Sequence, residues 1–386
     1  MSRYSILFVI DGLEFGGGER VFLQLAAGLR GRHQVFVATN AAGKLAHELA
    51  KLGVKFFPVN MTHQLSFKPI LQLRNIIRRQ EIDLVHSQGA RADFFARFAC
   101  RFAGVPNIVC TIAMPVEGFE VSSLRKKIYR LIDRFSERYA KHFIVVSDSL
   151  KKSLTEGRGI STKRVVRIYN GVELDHYHHN LEIGHLRGRW GIPLAAPLIG
   201  AIGRMVWQKG FEYLIKAFPT ILQVTPEARL ILVGDGPLRK KLKDLAESLS
   251  IKDRVIFPGF ISDIKQVLSD VDVLVIPSIL EGLPMVTLEA MAMSKPIVAT
   301  QIQGVVEQLS DGREGILVPP KNPEALARAV LIIVQHRELS ARLGAAARIR
   351  VEKFFSVEKM LRETEEVYLS LLKADGYKQL FASRQG

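Results

Sequence analysis

The 386-residue sequence predicts an α/β protein made of two doubly wound parallel-sheet halves. Three observations predict it. Short β-branched, apolar runs alternate with longer segments of helical periodicity along the chain. The runs are apolar at consecutive positions, as strands buried on both faces require. The alternation restarts near Pro197, and a chain of this length has room for two ordinary cores.

In the first half the sequence places strands at Ile6–Ile10, Gln34–Ala38, Lys55–Pro58, Leu84–Ser87, Ile108–Thr111, Phe143–Val146 and Val165–Tyr169. Helical segments lie between them, such as Glu19–Leu29 and Ala90–Ala103, the latter closed by Gly104 and Pro106. The second half reads as strands at Pro197–Ile202, Leu230–Val233, Val255–Phe257, Val273–Pro277, Pro296–Ala299 and Gly315–Val318. The joint spans about residues 176–196 and holds His176, His178, His179 and His185. Those histidines lack a fixed ligand spacing, so a solvated linker is expected there rather than a metal site. Val357–Leu372 is amphipathic and is expected to return to the first domain, and no pattern is evident after Lys373. The expected domains are therefore 1–180, completed by 357–386, and 181–356. Two such halves bring the carboxyl ends of two sheets to a cleft, where ligands of open α/β sheets bind.

Composition narrows the function classes. A hydrophobic fraction of 48% argues against a disordered chain. Cys100 and Cys110 are the only cysteines, too few for a disulfide framework or a four-ligand zinc site. Buried thiols in a reducing compartment are expected. No run reaches the roughly 18–20 apolar residues of a membrane span. The opening apolar stretch, Ile6–Ile10, is followed at once by Asp11 and is too short for a secretory signal. The expected location is the cytosol or the cytosolic face of a membrane. The net charge of +16 is uneven: residues 1–180 hold 27 Lys+Arg against 15 Asp+Glu, an excess of +12. A basic surface implies an anionic partner.

Four segments carry candidate chemistry. Glu14-Phe15-Gly16-Gly17-Gly18-Glu19-Arg20 joins a strand to a helix. Gly17 and Gly18 let backbone amides approach a ligand closely, and the helix amino terminus favours an anion. The segment is neither GxGxxG nor a Walker loop, so a dinucleotide fingerprint and an NAD-dependent oxidoreductase are not supported. Gly203-Arg204-Met205-Val206-Trp207-Gln208-Lys209-Gly210 follows the second half's first strand. There Arg204, a fork, and Lys209, a point charge, suit a diphosphate. In the segment from Pro277 to Ala292, Glu281 lies in a loop and Glu289 one to two turns into a helix. Carboxylates at this spacing suit hydroxyl-rich ligands, because each accepts hydrogen bonds from a vicinal diol. Pro284 has no N–H, so Leu283, Met285 and Val286 are the amides expected to hold a phosphate. The fourth is His86, at the end of its strand, which reads either as a structural histidine or as an acceptor-side residue of the cleft.

These residues, taken in order, resemble the retaining glycosyltransferases of family 4, which have the GT-B fold. Glu281 and Glu289 within EGLPMVTLEAMA look like the family's paired-glutamate segment. GGGER is similar to its GGxER loop and GRMVWQKG to its GRxxxxKG. Asn170-Gly171-Val172 and Val233-Gly234-Asp235-Gly236-Pro237 match its NGV and VGDGP. The resemblance implies transfer of a sugar from a nucleotide diphosphate sugar, a UDP-sugar favoured, to a glycan or lipid-linked glycan hydroxyl. Lipopolysaccharide or other cell-surface polysaccharide synthesis is the implied setting. Arg204 and Lys209 would stabilise the leaving diphosphate, Glu281 would contact the transferred sugar and Glu289 the ribose diol. Gly17 and Gly18 would let the first domain's loop approach the donor, and the base would rest near Pro258 to Ile261. No cofactor and no metal are expected, and anomeric configuration would be retained.

One departure stands out. The family often carries a His in a Thr-x-His-Gly segment, and here Thr111-Ile112-Ala113-Met114 places Ala113 at that position. A non-catalytic nucleotide-sugar-binding or scaffold protein of the same fold is the alternative that Ala113 keeps open. Ser123–Phe135 alternates cations with apolar residues at helical spacing and reads as a basic amphipathic helix. Together with Arg74, Arg78 and Arg79, it implies an anionic membrane surface as a partner. Nucleic acid is not expected, because the charge is not interleaved with aromatic residues.

Overall fold

The computed structural model describes residues 3–12, 15–62, 66–105, 107–114, 134–177 and 184–382, without the side chains of residues 185 and 374–382. The chain divides into two compact units, Met1–Asn170 with Val357–Gly386, and Gly171–Ser356.

The first unit is a seven-stranded sheet in the order β3-β2-β1-β4-β5-β6-β7. Its strands are β1 (Ser5–Ile10), β2 (Gln34–Thr39), β3 (Lys55–Pro58), β4 (Leu84–Gln88), β5 (Ile108–Ile112), β6 (His142–Val145) and β7 (Val165–Arg167). Every pairing is parallel, with Ile6 of β1 opposite Val35 on one side and Leu84 on the other. Helices α1 (Gly17–Leu29), α2 (Lys44–Lys51), α3 (Lys68–Arg79) and α4 (Ala90–Ala103) make the crossovers. The central strand is apolar throughout because it is sealed on both faces: Ile6, Leu7, Phe8 and Val9 are all buried. Cys100 and Cys110 are buried and free, and burial pushes the Cys110 thiol up to about 12. The Ser123–Phe135 helix expected from the sequence lies outside the described residues apart from Arg134 and Phe135.

The helix Val357–Ala382 completes this unit and extends past Lys373, where the sequence shows no pattern. Gly28 on α1 makes room for it, since a Cβ there would lie 2.4 Å from Leu361 Cδ1. Glu365 accepts hydrogen bonds from Arg32 and from His33 Nε2, the latter at 2.9 Å. Tyr368 is fully buried and its hydroxyl hydrogen-bonds Nδ1 of His86.

That contact decides between the two readings of His86: it is a structural core residue and not an acceptor-side one. The side chain is 0% exposed, its Nε2 lies 2.6 Å from Thr111 Oγ1, and it packs between the rings of Phe8 and Phe22. Its position on β4 turns it into the core, where both ring nitrogens find partners. Burial pushes its pKa down to about 3, so it is neutral in the folded state.

The second unit is a six-stranded parallel sheet in the order β10-β9-β8-β11-β12-β13. These are β8 (Leu198–Ile202), β9 (Arg229–Val233), β10 (Val255–Gly259), β11 (Val273–Ile276), β12 (Ile297–Thr300) and β13 (Ile316–Val318). Its core gathers Leu214, Phe218 and Ile221 of the helix Phe211–Val224 against Leu326, Val330 and Ile333 of the helix Pro323–Gln335 and the sheet face between them.

The unit begins at Gly171, earlier than the residue 181 expected from the sequence. Val172 already pairs with Ser356 and donates its N–H to Phe355 O at 2.9 Å. Nor is the described end of the joint a solvated linker. Arg187 is buried, and its guanidinium donates to the carbonyls of Pro193, Ala196 and Asp270 and, at 2.7 Å, to Asp272 Oδ2. Asp270, also buried, accepts the N–H groups of Gly184, Leu186 and Arg187. A polar stretch of sequence is thereby tied down by hydrogen bonds around one buried arginine and one buried aspartate. His178 and His179 lie outside the described residues.

Two outcomes follow. Removing one member of a buried hydrogen-bonded network costs about 3 kcal/mol or more, so Arg187→Met should lower the melting temperature by roughly 6–12 °C. An unchanged melting temperature would show that the network contributes nothing. The second outcome concerns acid stability. Below about pH 6.5 the unfolded chain protonates His86, whereas the folded chain refuses the proton until about pH 3. Stability is therefore lost as pH falls through this window. Between about pH 7.5 and 5 the wild type should lose about 2 kcal/mol more than His86→Gln, read from urea unfolding. Parallel pH profiles for the two proteins would contradict a neutral buried imidazole.

Candidate functional site

In the second sheet β8 and β11 are neighbours, with Ile199 opposite Val273. The chain leaves β8 toward β9 on one side and leaves β11 toward β12 on the other. The loops at their carboxyl ends therefore diverge, which is the topological switch point where open α/β sheets bind ligands. The two loops are also joined. The Gln208 carbonyl accepts the Ile279 N–H at 2.7 Å and the Leu280 N–H at 3.4 Å. Gly210 permits the approach: its φ is +61°, and a Cβ there would lie 2.1 Å from the Pro277 carbonyl oxygen.

This junction brings Lys209 and Glu281 together. Lys209 Nζ lies 2.6 Å from Glu281 Oε1, and Ser278 Oγ donates to the same oxygen at 2.8 Å. Thr300 Oγ1 donates in turn to the Ser278 carbonyl, so the loop is fixed from β12 as well. The Lys209 side chain is 22% exposed and that of Glu281 only 5%. An ammonium that reaches solvent beside a held carboxylate offers a donor for anionic oxygens next to an acceptor for hydroxyls. Arg204 is exposed in the same loop. Its neighbour Met205 is pinned, donating to Asp235 O at 2.8 Å and accepting from Leu238 N at 3.0 Å.

The helix Met285–Ala292 starts directly after Pro284, whose carbonyl accepts from Gln308 Nε2 at 3.0 Å. Met285 and Val286 thus supply first-turn amides of that helix, while Leu283 precedes its cap. Glu289 lies within the helix, is buried, and accepts the Tyr177 hydroxyl at 3.0 Å on Oε1. Ile261 is half-buried in the turn after β10. That places it at the same carboxyl edge as Lys209 but two strands away, since β9 lies between β10 and β8. Sequence reasoning did not single out Ser278, which lies inside the quoted segment, or Tyr177. No spacing rule links Tyr177 to Glu289, which is 112 positions further on.

The first sheet repeats the switch-point arrangement between β1 and β4. Gly17 and Gly18 open α1, and Glu19 Oε2 accepts the Gly16 N–H at 2.9 Å. A Cβ on Gly18 would lie 2.6 Å from Gln88 Nε2 at the end of β4. Asp11 pairs with Arg91 at 2.6 Å on this edge. Ala113 follows β5 and is half-buried. Among the described residues no group of three or more His, Cys, Asp or Glu side chains is placed to hold a metal.

Known proteins resemble this chain in sequence and fold. The family described as "Glycosyl transferases group 1" matches residues 183–350, and "Glycosyltransferase Family 4" matches residues 15–176. An uncharacterized glycosyltransferase of Methanocaldococcus jannaschii is 34% identical over 230 residues, 58% of this chain and 59% of that protein. The Escherichia coli UDP-Gal:alpha-D-GlcNAc-diphosphoundecaprenol alpha-1,3-galactosyltransferase is 24% identical over 313 residues, 79% of this chain and 80% of that protein. In three dimensions the chain resembles Anabaena Alr3699/HepE in complex with UDP-glucose, at a TM-score of 0.84, 24% identity, and coverage of 95% and 99% of the two chains. The two family matches divide the chain between its two sheets, and with them the chain belongs to the group 1 and family 4 glycosyltransferases.

Proposed function

We propose that the chain transfers a sugar from a UDP-sugar to a hydroxyl of a glycan or lipid-linked glycan, with retention of configuration and without a metal. The observation that carries this reading is the Lys209–Glu281 contact at the β8/β11 switch point. There a phosphate-binding cation and a hydroxyl-binding carboxylate share one small volume. The E. coli relative uses a UDP-sugar and a diphosphoundecaprenol-linked acceptor, and the Anabaena protein holds UDP-glucose. Both support the choice of donor, and the E. coli relative supports the acceptor class.

The proposed chemistry uses the residues in these roles. The bond from the sugar's anomeric carbon to the diphosphate oxygen breaks, and the new bond to the acceptor oxygen forms on the same face. The acceptor proton passes to the departing diphosphate, so no protein base is required. Lys209 and Arg204 stabilise the negative charge that grows on the diphosphate, preorganised where it appears. The amides of Met285 and Val286, at a helix amino terminus, add to that field. Glu281 accepts hydrogen bonds from the sugar hydroxyls and Glu289 from the ribose diol.

The reading extends to the membrane face where a lipid-linked acceptor lies. No helix among the described residues is long and apolar enough to cross a membrane. In the first unit Phe67, Leu71 and Phe102 are more than half exposed. Arg74 and Arg78 both donate to the Phe102 carbonyl, at 3.2 and 3.3 Å, and so hold cations beside these apolar side chains. Apolar anchors among cations suit peripheral binding to the anionic inner face of the cytoplasmic membrane. Ala113 favours one second reading, a nucleotide-sugar-binding protein that does not transfer, and the transfer assay below separates the two.

A donor sugar nucleotide at about 100 times its Kd should stabilise the protein by about 2.7 kcal/mol, seen as a raised melting temperature. Glu281→Ala should lose the part of that shift that UDP alone does not give. Arg204→Ala should reduce transfer by about 10²-fold or more, with wild-type turnover unaffected by EDTA and an α-linked product from an α-linked donor. A protein that no UDP-, GDP- or ADP-sugar stabilises would refute the donor assignment. Separately, the protein should bind acidic liposomes at low ionic strength and leave them in high salt, since screening weakens surface attraction. Absence of binding at low ionic strength would remove the membrane from the scheme.

A further inference from the structure

We infer that Tyr177 is a positioning residue for nucleotide recognition, holding the Glu289 carboxylate in the orientation that accepts the ribose diol. The inference rests on the reading of Glu289 proposed above. Tyr177 and Glu289 are both buried, and their oxygens are 3.0 Å apart. An ionised carboxylate only accepts, so the phenol must donate, in a charge-assisted hydrogen bond. The last torsion of a glutamate is otherwise broad, and a fixed donor on Oε1 narrows it.

The donor itself is anchored apart from Glu289. The Tyr177 N–H bonds to Leu174 O at 3.2 Å, and its carbonyl accepts from Arg348 Nη1 at 3.1 Å. The same guanidinium nitrogen donates to the carbonyl of Ala292, the last residue of the helix that carries Glu289. Arg348 Nε is held by Glu352 Oε1 at 2.6 Å. One arginine therefore sets the distance between the tyrosine backbone and the glutamate's helix. The ring of His176 meets the Tyr177 ring edge-on, with centroids 5.0 Å apart. A phenylalanine at 177 would fill the same space but supply no donor.

The test measures binding of UDP and of 2′,3′-dideoxy-UDP by calorimetry to the full chain, wild type and Tyr177→Phe, with the GDP and ADP pairs in parallel. The wild type should prefer the ribonucleotide. Tyr177→Phe should cut that preference about tenfold by weakening the ribonucleotide alone, while the melting temperature in the absence of nucleotide falls by only a few degrees, for the one lost hydrogen bond. A Tyr177→Phe protein that keeps the full preference, or that weakens both nucleotides equally, overturns the inference and leaves the donor site intact. A wild type that binds both forms alike overturns the ribose role of Glu289 and the inference with it. A wild type that binds none of the nucleotides overturns the donor reading itself.

Discussion

The ion pair between Lys209 and Glu281 is the interaction on which the candidate site depends. It exists only because β8 and β11 are adjacent in space while 72 positions separate the two side chains along the chain. A lysine alone at a sheet edge is an ordinary solvated cation, and a glutamate alone in a loop is an ordinary surface acid. Side by side, with Ser278 bonded to the same carboxylate oxygen, they hold each other in place before any ligand arrives. The preorganisation is modest in energy but directional, which is what stabilising charge on a leaving group requires.

Around this pair the second unit is stiffened by backbone contacts that tolerate little change. Gly210 lets one loop touch the other, and the Gln208 carbonyl takes up two amides of the facing loop. At the joint, Arg187 and Asp270 do for the entry segment what Ser278 and Thr300 do for the site loop. The buried Arg187 and Asp270 are paired with carbonyls and amides of the entry segment, so they order a stretch whose composition alone suggests solvent. The first unit adds a neutral group to its charged contacts, such as that of Glu365 with Arg32. His86 sits among aromatic rings and binds the C-terminal helix through Tyr368, which ties that helix to the first sheet.

Legibility differed by residue. The strands were readable because parallel strands sealed on both faces must be apolar in succession, as Ile6–Ile10 and Val273–Ile276 are. The positions of Arg204, Lys209 and Glu281 in loops after strands, and of Glu289 in the helix that follows, were readable because each segment comes directly after such a strand. His86 was placed at the cleft end of its strand, whereas β4 runs on to Gln88 and is buried at every position, so the imidazole lies inside the core. Tyr177, Ser278 and Arg348 act through contacts whose partners lie far away in sequence or whose role is a single directed hydrogen bond, and neither leaves a periodic trace.

Taken alone, the amino-acid order settled what short-range physics controls. Hydrophobic runs set the strands and their alternation with helices, and glycines and cations were marked at the strand ends where ligands gather. Which of those marked groups touch was left to the folded sheet order, because contact at 2.6 Å between Lys209 and Glu281 requires strands to be neighbours in space. The same order decided that Tyr177 reaches Glu289 and that His86 turns inward. Hydrogen bonds and ion pairs act over a few ångströms, and only tertiary structure brings residues from distant parts of the chain within that range.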